Sequence, residues 1–227
     1  MALARAQALD FLPGVTQKFS APFTVVPKKY PYYFIVNDAQ QLQGLLARPH
    51  DLFIEDGPRD QLGPALASLQ QDNPDFAISL NSITAYQSAV PEILARAFNA
   101  RFNFKIHRLL AIRTCLQEAL ANAVVHGNLG LRNTSTTHED FISYYHRIAQ
   151  LLSETMYGFR RISITVWHYN TYVKIAVANE GFGFPYPARF ENTGGHHVYG
   201  RGLFIIRSLS QRAWIGTDNK TLCMTFV

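Results

Sequence analysis

A chain of 227 residues, 48% hydrophobic and 13% aromatic, is long and apolar enough for one large domain, or one of common size with an appendage, and excludes disorder as the default. The net charge of +5 and pI near 9.3 suit an anionic ligand or partner, yet charged residues are only 16% and the basic pairs Lys28-Lys29 and Arg160-Arg161 are isolated, which argues against direct nucleic-acid binding. No apolar run approaches the ~20 residues of a membrane span, Arg5, Gln7 and Asp10 break any signal-peptide core, and Cys115 and Cys223 are too few for a disulfide framework, so the expectation is a cytoplasmic protein with two buried thiols and no membrane contact.

Residues 1–29 carry Pro13, Gly14, Pro22 and Pro27 with little periodicity and read as an irregular arm. A strand follows over 32–36, then a helix over 38–47 with Leu42, Leu45 and Leu46 on one side, a strand over 51–55 and a helix over 61–71 with Leu62, Ala65, Leu66 and Leu69. Gly57-Pro58 turns the chain between the last two. Asp51, Glu55 and Asp56 read as solvated acids at a strand end rather than a cation site. This order predicts a small N-terminal α/β unit over 1–75, of unknown role and with no phosphate loop, nucleophile or metal cluster.

The run from Asp72 to Asp75, containing Pro74, marks the expected boundary, with the main domain over 76–227. A strand is predicted over 76–80 and a helix over 86–98, starting near Ser88 or Ala89 because Pro91 suits a first helical turn. A longer helix over 105–126 is followed by a loop over 134–139, where Thr136 or Thr137 before Glu139 is a capping signature, and an amphipathic helix over 138–157 with Phe141, Tyr145, Ile148 and Leu152. Residues 161–168 and 172–177 alternate strictly and turn at 169–171, a hairpin with one apolar face. A polar segment over 185–199 carries Gly194, Gly195, His196 and His197; a helix from Gly200 to Arg212 buries Leu203, Ile206 and Leu209; strands at 214–215 and 221–226 end the chain. The predicted class is α+β: a two-layer sandwich whose mixed sheet is covered by helices on one face.

The helix over 105–126 organises the rest. Leu109, Ile112, Leu116, Leu120 (or Ala119) and Ala123 recur at three- and four-residue steps as a buried stripe, while Glu118, Asn122 and His126 recur at i, i+4 and i+8 as a polar one. A carboxylate and a carboxamide inside a domain need partners. They form either a satisfied structural network at a helix end capped by Gly127 or a site for a cation and a phosphate chain. Three glycine-bearing segments point to the second. Gly181 and Gly183 follow a strand, where backbone can pass close to a planar ligand, and Gly194-Gly195 with Gly200 and Gly202 lead into a helix N-terminus, whose free amides and dipole favour an anion.

Together these segments resemble the GHKL superfamily of ATP-binding domains, shared by gyrase, histidine kinases and their relatives, and within it most closely the bacterial anti-sigma-factor serine/threonine kinases. Residues 118–127 resemble the N box of that family, 177–184 its first glycine box and 200–207 its second. The resemblance covers 76–227 and implies the Bergerat-type ATP-binding fold, with ATP and Mg²⁺ as cofactors. It implies Glu118 as general base, Asn122 as the Mg²⁺ ligand, and His126 near the phosphates, where a helix C-terminal His interacting with the dipole is the alternative. Asn179, Gly181 and Gly183 would line the base, and the amides of Gly200, Arg201 and Gly202 would hold the phosphates. It further implies a protein antagonist or sigma factor as partner, signalling by phosphorylation of a small antagonist protein, and a homodimer.

One position departs. The family has an aspartate where this chain has Asn179, and a carboxamide brings a donor where the adenine amino group needs an acceptor. Losing a charge-assisted bond of that kind costs about 1.5–3 kcal/mol, so the alternative is a non-catalytic protein-binding module with weakened or lost nucleotide binding. A histidine kinase core fits less well, because residues 1–75 read as α/β rather than as a helical hairpin bearing a phosphorylatable His.

Overall fold

A computed structural model describes residues 32–35, 39–70, 72–132, 138–184 and 201–227. The expected arm over 1–29, the capping loop before Glu139, the polar segment over 185–199 and Gly200 lie outside them. The chain forms β1 (Tyr32–Phe34), α1 (Ala39–Leu46), β2 (Leu52–Glu55), α2 (Arg59–Gln70), β3 (Phe76–Asn81), α3 (Ser82–Ala85), α4 (Val90–Phe102) and α5 (Ile106–Asn122). A π-helical turn, Ala123–Asn128, ends α5; then come α6 (His138–Ser153), α7 (Thr155–Gly158), β4 (Arg161–His168), β5 (Val173–Asn179), α8 (Gly202–Leu209), β6 (Arg212–Ile215) and β7 (Thr221–Phe226). No helix among the described residues is long and apolar enough to cross a membrane.

The strands make one seven-stranded sheet in the order β1-β2-β3-β4-β5-β7-β6. β1, β2 and β3 are parallel, and every pairing from β3 to β6 is antiparallel. The alternation in β4 and β5 does what its period requires: Ile162, Ile164, Val166, Val173, Ile175 and Val177 are fully buried on the helix side. Against them packs the predicted stripe of α5, with Ile112, Leu116, Leu120 and Ala123 buried and Leu109 partly so. Each such Leu or Ile contributes about 1.5–3 kcal/mol.

Residues on both sides of 72–75 share this sheet and this core, since Tyr32, Phe34, Leu42, Leu46 and Phe53 belong to the same cluster as Phe76, Phe98 and Leu116. Arg101 of α4 fastens the two stretches, its guanidinium donating to the carbonyls of Leu46 (2.9 Å), Arg48 (3.0 Å) and His50 (2.9 Å). Helix α2 lies on the opposite face, where Leu62, Leu66 and Leu69 pack on Leu52, Ile54 and Ala77. The one-face expectation thus stops at the parallel end of the sheet, because β2, with a neighbour on each edge, is buried on both faces. Glu55 corrects a second expectation. It is buried rather than solvated, accepting from Thr84 Oγ1 (2.6 Å) and the Asn81 amide (2.7 Å), and burial pushes its carboxyl up.

Candidate functional site

Two clusters of the predicted residues form along one helix. At the first, Glu118 and Asn122, one turn apart on α5, face the start of α8. A methyl group added at Gly202 would stand 2.7 Å from Glu118 Oε2 and 3.1 Å from Asn122 Nδ2, so the glycine lets both side chains pack directly against the start of α8. Helix α8 is held against α5 by its buried Ile206, whose carbonyl lies 3.9 Å from Cys115 Sγ. Burial pushes the Glu118 carboxyl above the ordinary carboxylate range. The adjacent Cys115 thiol is pushed up to about 12 by burial and by the Glu118 charge, which makes it inert at neutral pH.

Asn122 answers whether this cluster fits a cation. Its side-chain nitrogen is buried and has no hydrogen-bond partner among the described residues, an uncompensated cost in a protein interior. Rotating the carboxamide by half a turn presents its oxygen to the same space without changing its shape. Among the described residues no group of three or more His, Cys, Asp or Glu could cage a metal. The residues therefore fit a hard cation shared between one or two protein oxygens and a phosphate chain.

The second cluster lies at the π-turn, five residues on from Asn122, roughly 7.5 Å along the helix. Asn179 at the end of β5 is 6% exposed, and its carboxamide lies so close to Gly127 that a methyl group there would come 2.5 Å from Asn179 Cγ. Its Nδ2 donates to the Lys220 carbonyl (2.9 Å) and its Oδ1 accepts from the Gly181 amide (3.2 Å). One of the two N–H donors of its carboxamide is thus occupied inside the protein, and an acceptor lone pair remains on Oδ1. Gly181 is needed for space, because a methyl group there would be 2.1 Å from the Gly127 carbonyl oxygen. Gly183 is needed for both conformation and space, with φ of +79° and the Asn219 carbonyl 2.4 Å from where its Cβ would be.

His126 lies within the π-turn, and its Nδ1 lies 2.6 Å from the Leu131 carbonyl oxygen, a local helix-end contact. Arg201 is exposed just before α8. A cavity of about 250 Å³ beside α2 is lined by Pro64, Ser68, Arg161, Ser163, Asn179 and Glu180, and Glu118 is not among its lining residues. The sequence reading missed Asn128 and Lys220, which hold the second cluster together. A polar residue straight after a predicted buried helix was the one available sign of Asn128, and nothing local marked a main-chain carbonyl at position 220.

A family model described as a histidine kinase-like ATPase domain matches residues 80–226, well over half of the chain. A search of curated proteins gives no match. The matched span contains both clusters, the helix that carries them and the antiparallel part of the sheet, and on that evidence the chain belongs to the histidine kinase-like ATPase family of ATP-binding domains.

Proposed function

We propose that this protein is a Mg·ATP-dependent serine/threonine protein kinase of the anti-sigma type, which phosphorylates a small antagonist protein and so regulates signalling by partner exchange. The observation that carries the reading is the convergence of Glu118 and Asn122 on Gly202 at the start of α8. ATP with Mg²⁺ would supply the transferable phosphoryl group and the cation that neutralises charge on its oxygens. Glu118, half-buried and poised above the usual carboxylate range, would accept the proton of the attacking hydroxyl. Asn122 would offer its side-chain oxygen to the cation, and the first amides of α8 would face the phosphates. Main-chain close approach at Gly127 and Gly181 would leave Asn179 facing the base.

Asn179 favours a second reading, a protein-binding module of this fold with weak or absent nucleotide binding, because a neutral carboxamide stands where the family has a carboxylate and keeps a second N–H donor beside its acceptor. Calorimetric titration with ATP and with GTP, with and without Mg²⁺, separates the two. The kinase reading expects Mg²⁺-dependent ATP binding, with Glu118→Ala keeping affinity and losing phosphoryl transfer. No nucleotide binding under any condition would remove it in favour of the module.

A further inference from the structure

Asn128 is 0% exposed and uses every hydrogen-bonding position it owns. Its Nδ2 donates to Ser82 Oγ (2.7 Å) and to the Arg161 carbonyl (3.1 Å), while its Oδ1 accepts from the amides of Glu180 (3.0 Å) and Gly181 (2.9 Å). Its own carbonyl accepts from the Arg160 guanidinium, which also lies over the rings of Tyr157 (4.8 Å) and Phe182 (5.3 Å). One side chain therefore joins the start of α3, the start of β4 and the turn that leaves β5.

The position of these bonds gives them meaning. β5 stops pairing at Asn179, so the amides of Glu180 and Gly181 have left the sheet ladder. Asn128 takes over where the ladder ends, and Phe182 continues the arrangement by donating to the Gly127 carbonyl (2.9 Å). The π-helical turn makes this reach available, since widening the helix by one residue turns whatever follows by roughly 100°. Straight α-helical geometry would aim Asn128 elsewhere.

We infer that Asn128 is a positioning residue for nucleotide binding: it fixes the turn at Glu180 and Gly181 so that Asn179 and Gly181 form the base-side wall. The inference rests on the ATP-binding reading above. The acceptor half of the carboxamide carries the role, and the donor half, on Ser82 and Arg161, supports the fold.

Amide exchange of the nucleotide-free protein, followed by NMR, and ATP affinity by calorimetry test this on two variants chosen to split the halves. Asn128→Ala should release the Glu180 amide to fast exchange, speed exchange at Gly181, whose remaining acceptor is Asn179 Oδ1, and weaken ATP binding by about tenfold or more, the expected loss for two hydrogen bonds. Asn128→Asp keeps acceptor oxygens, so both amides should stay protected and ATP affinity should remain within about threefold of wild type, although melting falls in both variants. Ser82→Ala, which loses only a donor-side partner, should lower melting and leave both amides protected. A purely structural role would make the Asp and Ala variants lose affinity alike, and that overturns the inference. So would fast exchange of Glu180 and Gly181 in the wild-type protein, a measurement that needs no variant to fold. Wild-type protein that protects both amides but binds no ATP would instead remove the ATP reading and leave the holding of this turn by Asn128 in place.

Discussion

Replacing Gly202 by alanine separates the site from the fold more cleanly than any other single change. The new methyl group would stand 2.7 Å from Glu118 Oε2 and 3.1 Å from Asn122 Nδ2, against ordinary contact at 3.4 Å, so the carboxylate must retreat by about 0.7 Å and the carboxamide by about 0.3 Å. Both atoms end flexible side chains, so the overpacking cost of about 1–3 kcal/mol falls at the low end. It is partly offset by about 0.5–1 kcal/mol from a less mobile unfolded chain and better helix propensity. A net change near 1 kcal/mol moves the melting temperature of a chain this size by about 2–4 °C. Function is more sensitive, because misplacing a reacting group by ~1 Å costs about a hundredfold in rate. Gly202→Ala should therefore melt close to wild type, lose the Mg²⁺ dependence of ATP binding and slow phosphoryl transfer by about one to two orders of magnitude. Thermal unfolding, calorimetry and a phosphate-transfer assay read the three quantities. Unchanged Mg²⁺ dependence and turnover would show that the phosphate chain does not occupy this space.

Other outcomes follow from the same geometry. Because burial raises the folded-state pKa of Glu118 above its unfolded value, the folded protein holds that proton more tightly, and the resulting stabilisation is present at low pH and lost as pH rises through the raised pKa. Glu118→Gln should then melt higher than wild type at neutral pH, with the gap closing below the ordinary carboxylate range, and it should abolish transfer; equal melting at every pH would contradict the burial argument. Gly181→Ala sets a methyl group 2.1 Å from the Gly127 carbonyl oxygen and 2.6 Å from Asn128 Cα, both main-chain atoms that cannot swing away. A cost of about 3 kcal/mol, or about 6–12 °C in melting temperature, is expected by calorimetric scanning. Asn179→Asp removes the donor that reaches the Lys220 carbonyl and should cost about 1–3 kcal/mol of stability while strengthening ATP over GTP by about tenfold or more. Titration of both nucleotides would detect a failure to discriminate. Finally, buried Cys115 and Cys223, both raised by burial, should resist alkylation at pH 8 in the folded protein and react in denaturant, as mass spectrometry would show.

Where a property is carried by local period, the sequence was readable. The β4–β5 hairpin, the buried stripe of α5 and the facing of Glu118 and Asn122 into the domain all follow from spacings of two, three and four residues. The parallel pairing of β2 with β3, which carries one sheet across the expected boundary, was not readable, because a strand's neighbour is chosen by contacts far along the chain and either edge of β3 would satisfy its alternation. Asn179 showed the departure from the family but not its anchor, since the Lys220 carbonyl that takes one of its two N–H donors sits 41 positions later. Glu55 read as solvated because Thr84 and Asn81, which satisfy it, arrive from the next strand and helix.

The family match begins at residue 80, inside a strand that starts at Phe76 and is bonded on both edges. The family match and the sheet therefore have different borders in this molecule. A fragment trimmed to the matched part would lose residues 76–79 of β3, where β2 now docks, and bare the edge of β4 that they cover, a run of unsatisfied peptide groups inviting association with other chains. The stretch ahead of the ATPase module serves, in that sense, as the seal on its open side.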